Sequence, residues 1–258
     1  MKRLHLFEFE DQAWFPENIR NYMTDYLQAV ANSFRLYDDI LPILKKGIEK
    51  STNKQIIDLA SGGGGGWLSI ASIIEKVIPG IKIKLTDYYP NIDAFKQIQA
   101  QYPGLFDYSS RSIDATNVPK EMKGLRTQFL SFHHFKPEQA QMILQNAVDA
   151  QQPIAIFEAI ERTPQYFALI SGISLSVYAL TPFIKPFNTE RLALTYLLPA
   201  IPFFVSFDGL VSVCRVYSQE EMAAMTRSLK NSGSFEWEIG KIKKGLLTVQ
   251  YLLGYPNK

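Results

Sequence analysis

Cysteine is nearly missing from this chain of 258 residues: Cys214 stands alone, which excludes a disulfide framework and a zinc site built from cysteines. Histidine is scarce as well. His5, His133 and His134 leave little material for a metal centre, and no metal is expected. Charge of one sign is also lacking, since 27 Lys and Arg stand against 25 Asp and Glu for a net +2. So even a balance gives no electrostatic reason to expect nucleic acid as a partner. Internal repeats and low-complexity tracts are absent, apart from the five-glycine run Gly62 to Gly66. A cleavable leader is not expected either, because Glu8, Glu10 and Asp11 fall where its apolar segment would run. Scarce cysteine and the lack of such a leader point to a reducing, cytoplasmic setting.

What is present suits a folded α/β protein. Apolar residues make up 47% and charged residues 20%, enough to bury a sizeable core and to exclude disorder as the main state. Over residues 1–54, Trp14, Phe15, Ile19, Tyr22, Tyr26, Leu27 and Val30 recur mostly three or four apart, which predicts a helical N-terminal segment. From residue 55 short apolar runs alternate with helical patterns. Strands are expected at 55–60, 81–86, 106–113, 125–132 and 153–158, with helices at 67–77, 93–101 and from Pro137 onward. The alternation predicts a doubly wound, mostly parallel sheet over 55–162. Ser218-Gln219-Glu220-Glu221 reads as a capping box before a last helix, and 235–242 with 247–253 as a closing β-hairpin. Residues 218–258 thus return to the same core and bring the expected sheet to seven strands.

Residues 163–217 interrupt that plan. Within them 166–184 carries no charge, and 192–207 is broken by Pro199 and Pro202. The serines of the first stretch and the prolines of the second favour a helical pair forming a lid over true membrane spans. Asp208 and Arg215 sit in this apolar context and need partners if buried, either each other or a substrate.

The glycine run is the most informative segment. Glycines directly after a buried strand let a ligand approach the backbone, because no Cβ intervenes. A phosphate-binding loop would need Gly-Lys-Ser/Thr, whereas Trp67-Leu68-Ser69 follows here. A dinucleotide loop would want its third glycine where Trp67 stands. Loops that bind S-adenosylmethionine place an acid at the end of the first strand, and Asp58 is there.

In order and spacing these residues resemble the class I S-adenosylmethionine-dependent methyltransferases of small-molecule type, over roughly residues 55–160 and the C-terminal hairpin. Asp58, Ala60, Ser61, Gly62 and Gly64 resemble that family's first motif, acid-x-Gly-x-Gly-x-Gly, with Ala60 in place of the first glycine. Asp87 lies 29 residues after Asp58, where the family ends its second strand on an acid. Asp114 and Ala115, another 27 residues on, resemble the third motif, and Ser131-Phe132-His133-His134-Phe135 resembles the segment after the fourth strand. The resemblance implies a Rossmann-like methyltransferase fold with S-adenosylmethionine as cofactor. Asp58 and the glycine backbone would hold its methionine end, Asp87 its ribose hydroxyls, and Tyr88, Asp114 and Ala115 the adenine, with Phe132 a further cofactor contact.

It further implies methyl transfer to a small-molecule acceptor. The aromatic content of 163–217 makes that acceptor apolar, and the stretch 166–207 also offers a face for peripheral membrane contact or for a homodimer. His133, His134 and Glu158 are the candidate general bases, and Trp14, Arg20 and Glu161 the candidate substrate contacts. Two other readings stay open: a non-catalytic binding or dimerisation module on the same fold, and a nicotinamide-dependent oxidoreductase.

Overall fold

A computed structural model describes residues 1–245 and 247–257. Among them, seven strands form one sheet: β1 (Gln55–Asp58), β2 (Lys82–Leu85), β3 (Phe106–Tyr108), β4 (Leu125–Phe129), β5 (Ile154–Glu158), β6 (Phe235–Lys244) and β7 (Leu247–Pro256). Their order is β3-β2-β1-β4-β5-β7-β6. The first five strands are parallel, and β7 runs antiparallel between β5 and β6. Every residue of β4 and β5 is buried, as expected of central parallel strands covered on both faces.

Helices α2 (Leu41–Glu49), α3 (Trp67–Val77) and α4 (Ile92–Gln101) cover one face through a core that includes Ile56, Leu85, Leu125 and Phe157. Helices α5 (Pro137–Asp149) and α10 (Gln219–Ser228) cover the other over Ile57, Leu144, Ile156 and Leu252. The expected capping box opens α10: Ser218 accepts from the Glu221 N–H, and the Glu221 carboxylate accepts in return from the Ser218 N–H at 2.8 Å.

Strands β3 and β4 are shorter than expected. After Phe129 the chain turns through Leu130 at φ +48 into the 3-10 turn Phe132–His134. Apolarity continues past the strand because Phe132 is buried in that turn, so hydropathy alone could not mark the strand's end.

The insertion is four helices instead of a pair: α6 (Pro164–Ser171), α7 (Ile173–Leu180), α8 (Thr189–Tyr196) and α9 (Ala200–Arg215). Gly172, Pro182 and Pro199 fall at their junctions, where a continuous ladder of helical hydrogen bonds is hard to keep. The layer packs against α1 (Glu17–Ser33) through Tyr26, Val177, Ile201 and Val205. Arg191 of α8 reaches Asp25 of α1 at 3.1 Å, and Tyr166 of α6 donates to the Thr248 carbonyl of β7 at 3.1 Å. Helix α1 and the insertion therefore form one helical layer, whereas α2 belongs to the cover of the sheet.

Candidate active site

Strand β1 has β2 on one side and β4 on the other, and the chains leaving β1 and β4 pass to opposite faces of the sheet. That divergence opens a crevice at the C-terminal ends of the strands. A cleft of about 780 Å³ lies there, within the ~300–1,000 Å³ common for small-molecule sites. Ala60, Ser61, Gly62, Gly63 and Gly65 form one wall.

Asp87 fastens this wall. Its Oδ2 accepts from the Gly62 N–H at 2.7 Å and its Oδ1 from the Tyr89 N–H at 2.8 Å. Burial raises the Asp87 carboxyl above the usual range, and these two amides offset part of that shift. Asp114 caps the short turn Ala115–Asn117, its Oδ1 accepting from the Thr116 N–H at 2.8 Å and hydroxyl at 2.7 Å. Tyr88 is exposed at the cleft edge, with its ring edge-on to Tyr89.

Not every expected residue faces the cleft. Asp58 is buried beneath it, where Oδ1 accepts from the Thr127 hydroxyl at 2.6 Å and burial pushes the carboxyl up to about 6. Gly64, at φ +97, faces α4: a Cβ there would overlap the tip of Ile98. Gly63 likewise admits α1, since its Cβ would stand 2.8 Å from the Thr24 carbonyl oxygen. The glycine run thus serves two purposes, forming a cleft wall and letting two helices approach. Phe132 is buried against the Tyr217 ring.

His133 and Glu158 are buried against each other. The Glu158 carboxylate accepts from the His133 backbone N–H at 3.0 Å and contacts Nδ1 at 2.9 Å. They fasten the turn after β4 to the end of β5 and do not line the cleft. Glu161 pairs with Lys241 on β6, and Trp14 is exposed outside the cleft, so both lie away from the expected substrate position. Arg20 does line it. Its guanidinium donates to the carbonyls of Glu10 at 3.0 Å, Gln12 at 2.6 Å and Phe15 at 3.3 Å, and stacks over Tyr89 at 4.3 Å.

Those carbonyls belong to a strap, residues 3–15, that roofs the cleft. His134 lies under it with Nδ1 2.8 Å from Glu8 and 2.9 Å from Asp11, and Nε2 3.2 Å from Glu10. Arg215 of α9 supplies the second cation, at 2.7 Å from Glu8 and 2.6 Å from Asp11. Asp208 accepts from the Phe9 and Glu10 N–H groups at 2.9 and 3.1 Å. Asp208 and Arg215 therefore find their partners in the strap and not in each other. Burial alone would lower the His134 value, but Glu8 and Asp11 hold it well above its ordinary one. Held protonated by Glu8 and Asp11, His134 has no lone pair to offer as a base. Glu8, His133 and His134 bring ligand atoms within 4.8 Å of one another, yet both Glu8 oxygens are already engaged, Oε2 by Arg215 at 2.7 Å and Oε1 by the Ser212 hydroxyl at 3.0 Å.

The acids of the strap are legible in the sequence only as charges that interrupt a leader. Their pairing with Arg215 spans more than 200 residues, for instance 207 to Glu8, and no local pattern announces it. The cluster sets a pH dependence. Burial pushes Glu10 up to about 8 and Asp208 up to about 6. Groups held above their unfolded values, His134 included, contribute stability that is full below the unfolded value and is lost as pH rises through the folded one. The thermal midpoint should therefore fall steadily from about pH 6 to pH 9 in calorimetry; a flat or rising midpoint would contradict the arrangement.

No protein-family model matches the chain, and no curated protein matches it in sequence. Solved structures do match it. One, from Nostoc punctiforme and assigned as an O-methyltransferase, superposes with a TM-score of 0.50 at 14% identity, covering 88% of this chain and 58% of that one. SibL, an S-adenosylmethionine-dependent methyltransferase in its apo form, gives 0.50 at 12% identity, covering 86% and 56%. A Rhodobacter sphaeroides protein assigned as a zinc-dependent alcohol dehydrogenase also gives 0.50 at 12%, covering 92% and 99%. The chain thus spans a little over half the length of the first two. Strand order, the antiparallel β7 beside β5 and these likenesses together give it the Rossmann-like fold of the class I S-adenosylmethionine-dependent methyltransferases.

Proposed function

We propose that the protein transfers a methyl group from S-adenosylmethionine to a small acceptor of largely apolar character. The observation that carries this reading is the bond from the Gly62 N–H to Asp87, which joins the glycine loop after β1 to the acid after β2 at the point where the sheet diverges. Gly62 and Gly65 line the cleft with positive φ and no side chain, a cradle for an adenosyl group. Each Asp87 oxygen bonds one backbone amide and keeps a lone pair for a ribose hydroxyl. Asp114 and Ala115 would meet the adenine edge, Tyr88 its face, and Ala60 with Ser61 the methionine end.

When bound, the cofactor supplies a methyl group already made electrophilic by its sulfonium. The chain's remaining tasks are to align the acceptor and to exclude water. Roofing is done from α1, where Gln28 donates to the Gly63 carbonyl and Asn32 to the Gly65 carbonyl at 3.0 Å, while the strap closes the other side. Leu6, Phe7, Leu27, Phe129, Leu130 and Phe135 give the cleft its apolar surface.

Calorimetric titration with S-adenosylmethionine, S-adenosylhomocysteine and NADH in parallel tests the assignment. Micromolar binding of the first two alone is expected. Silence from all three would favour a non-catalytic module, and binding of NADH alone an oxidoreductase; either would overturn the proposal.

A further inference from the structure

The outside of residues 163–217 is almost free of charge. Residues 163–217 include five charged side chains: Lys185, Glu190, Arg191, Asp208 and Arg215. Three of these are buried against partners, Arg191 on Asp25, Asp208 on the amides of Phe9 and Glu10, and Arg215 on Glu8 and Asp11. Water-facing surfaces ordinarily carry roughly a quarter to a third charged residues. Here Leu175, Phe183, Leu197 and Leu198 stand out instead, exposed by 74%, 76%, 85% and 64%.

Ring contacts join the neighbours of several of these residues. Tyr178, one turn after Leu175, meets the Tyr196 ring at 5.8 Å, and Leu197 and Leu198 follow Tyr196 directly. Helix α9 then turns Phe203 and Phe207 towards Phe9, which also touches Phe7 at 5.0 Å and Trp14 at 6.3 Å. All four of these neighbours of Phe9 are themselves exposed.

We infer that this face docks on the surface of a phospholipid bilayer, with Pro164–Phe183 lying along the membrane plane. The helical stretch Pro164–Phe183 contains an 18-residue window of mean hydropathy 1.4 of which 22% is buried, so it is as apolar as a membrane span without being a core helix. It cannot cross the bilayer in this fold. Tyr166, Ile170 and Val177 are packed into the protein, Tyr166 is bonded to β7, and the α8–α9 pair bends by 72°. One face of the stretch is packed in the protein and the other is largely apolar and uncharged, so its open side gains by leaving water for the acyl chains of a bilayer surface.

Charge placement agrees with that occupant. Of the two exposed charges of the insertion, Glu190 is held by the Asn18 amide and the Tyr22 hydroxyl, each at 2.7 Å, while Lys185 stands between the exposed rings of Phe183 and Phe187, where an aliphatic stem follows apolar surface and an ammonium meets lipid phosphate. The exposed Trp14 indole suits the same zone. A pairing surface for a second copy would set a polar rim round an apolar centre, whereas here the apolar residues extend from the strap to the end of α7. Docking does not depend on the chemistry of the cleft, so its failure and a failure of cofactor binding are read separately.

Sedimentation with sucrose-loaded vesicles of phosphatidylcholine and phosphatidylglycerol tests the inference, beside a Leu175→Glu/Phe183→Glu/Leu197→Glu variant whose three positions are all exposed. The wild-type chain should pellet with the vesicles. The variant should partition at least tenfold less while its circular dichroism and thermal midpoint stay unchanged. A wild-type chain left in the supernatant, or a variant that pellets equally, would overturn the inference. A two-copy mass in vesicle-free buffer that falls to one copy in the variant would assign the face to a dimer and overturn it as well.

Discussion

Arg215→Ala is expected to lower the stability of the fold by about 3–5 kcal/mol, the range for removing one member of a buried ion pair. Arg215 is 2% exposed and Glu8 is fully buried, so neither charge can be returned to water without moving the strap. The guanidinium bonds Glu8 at 2.7 Å, Asp11 at 2.6 Å and the Leu6 carbonyl at 2.7 Å through Nε. Its loss leaves two carboxylates to share His134 and frees the backbone that roofs the cleft. For a chain of this size the thermal midpoint should drop by roughly 10 °C. Adding Glu8→Gln to the variant should recover part of the loss, because the uncompensated charge goes with it. A shift under about 3 °C would mean that the strap is held by its aromatic contacts instead.

Asp87→Ala should weaken S-adenosylmethionine by about 1–3 kcal/mol, roughly five- to 150-fold. Two effects add. The ribose hydroxyls lose their acceptor, and the Gly62 N–H loses the carboxylate that fixes the loop at φ +53. Asp58→Asn is the informative comparison. Asp58 lies outside the cleft with its carboxyl pushed up to about 6, so a neutral isostere there costs little and affinity should stay near the wild-type value. Titration calorimetry of both variants separates the roles. Unchanged binding in Asp87→Ala would move the ribose site away from β2, and a large loss in Asp58→Asn would bring the first acid into contact with the ligand.

Much of the core was legible because its signals are local. Apolar runs marked β1, β2 and β5, Ser218 with Glu221 opened α10 three residues apart, and Asp87 stood just past β2, whereas Asp114 lies six residues beyond the end of β3 and caps a short turn. The site was legible in part. Asp87, Asp114 and Tyr88 line the cleft, whereas Asp58, Phe132, His133 and Glu158 lie under it, although they come from the same motif-like segments. A motif names a position along the chain, but which way its side chain turns depends on what packs beside it. Thr127 draws Asp58 down into the sheet, and Glu158 draws His133.

The order of strands and helices, the caps and the placing of acids at strand ends follow from the sequence by itself, since periodicity, turn residues and capping act within a few neighbours. Only the tertiary structure decided what the ends of the chain do. It laid the strap across α9, kept His134 charged beside Glu8 and Asp11, set α1 against Gly63, and left the outer face of residues 163–217 uncovered. Each of these depends on groups far apart in the chain meeting in a low-dielectric interior, where pairing and desolvation outweigh local preference.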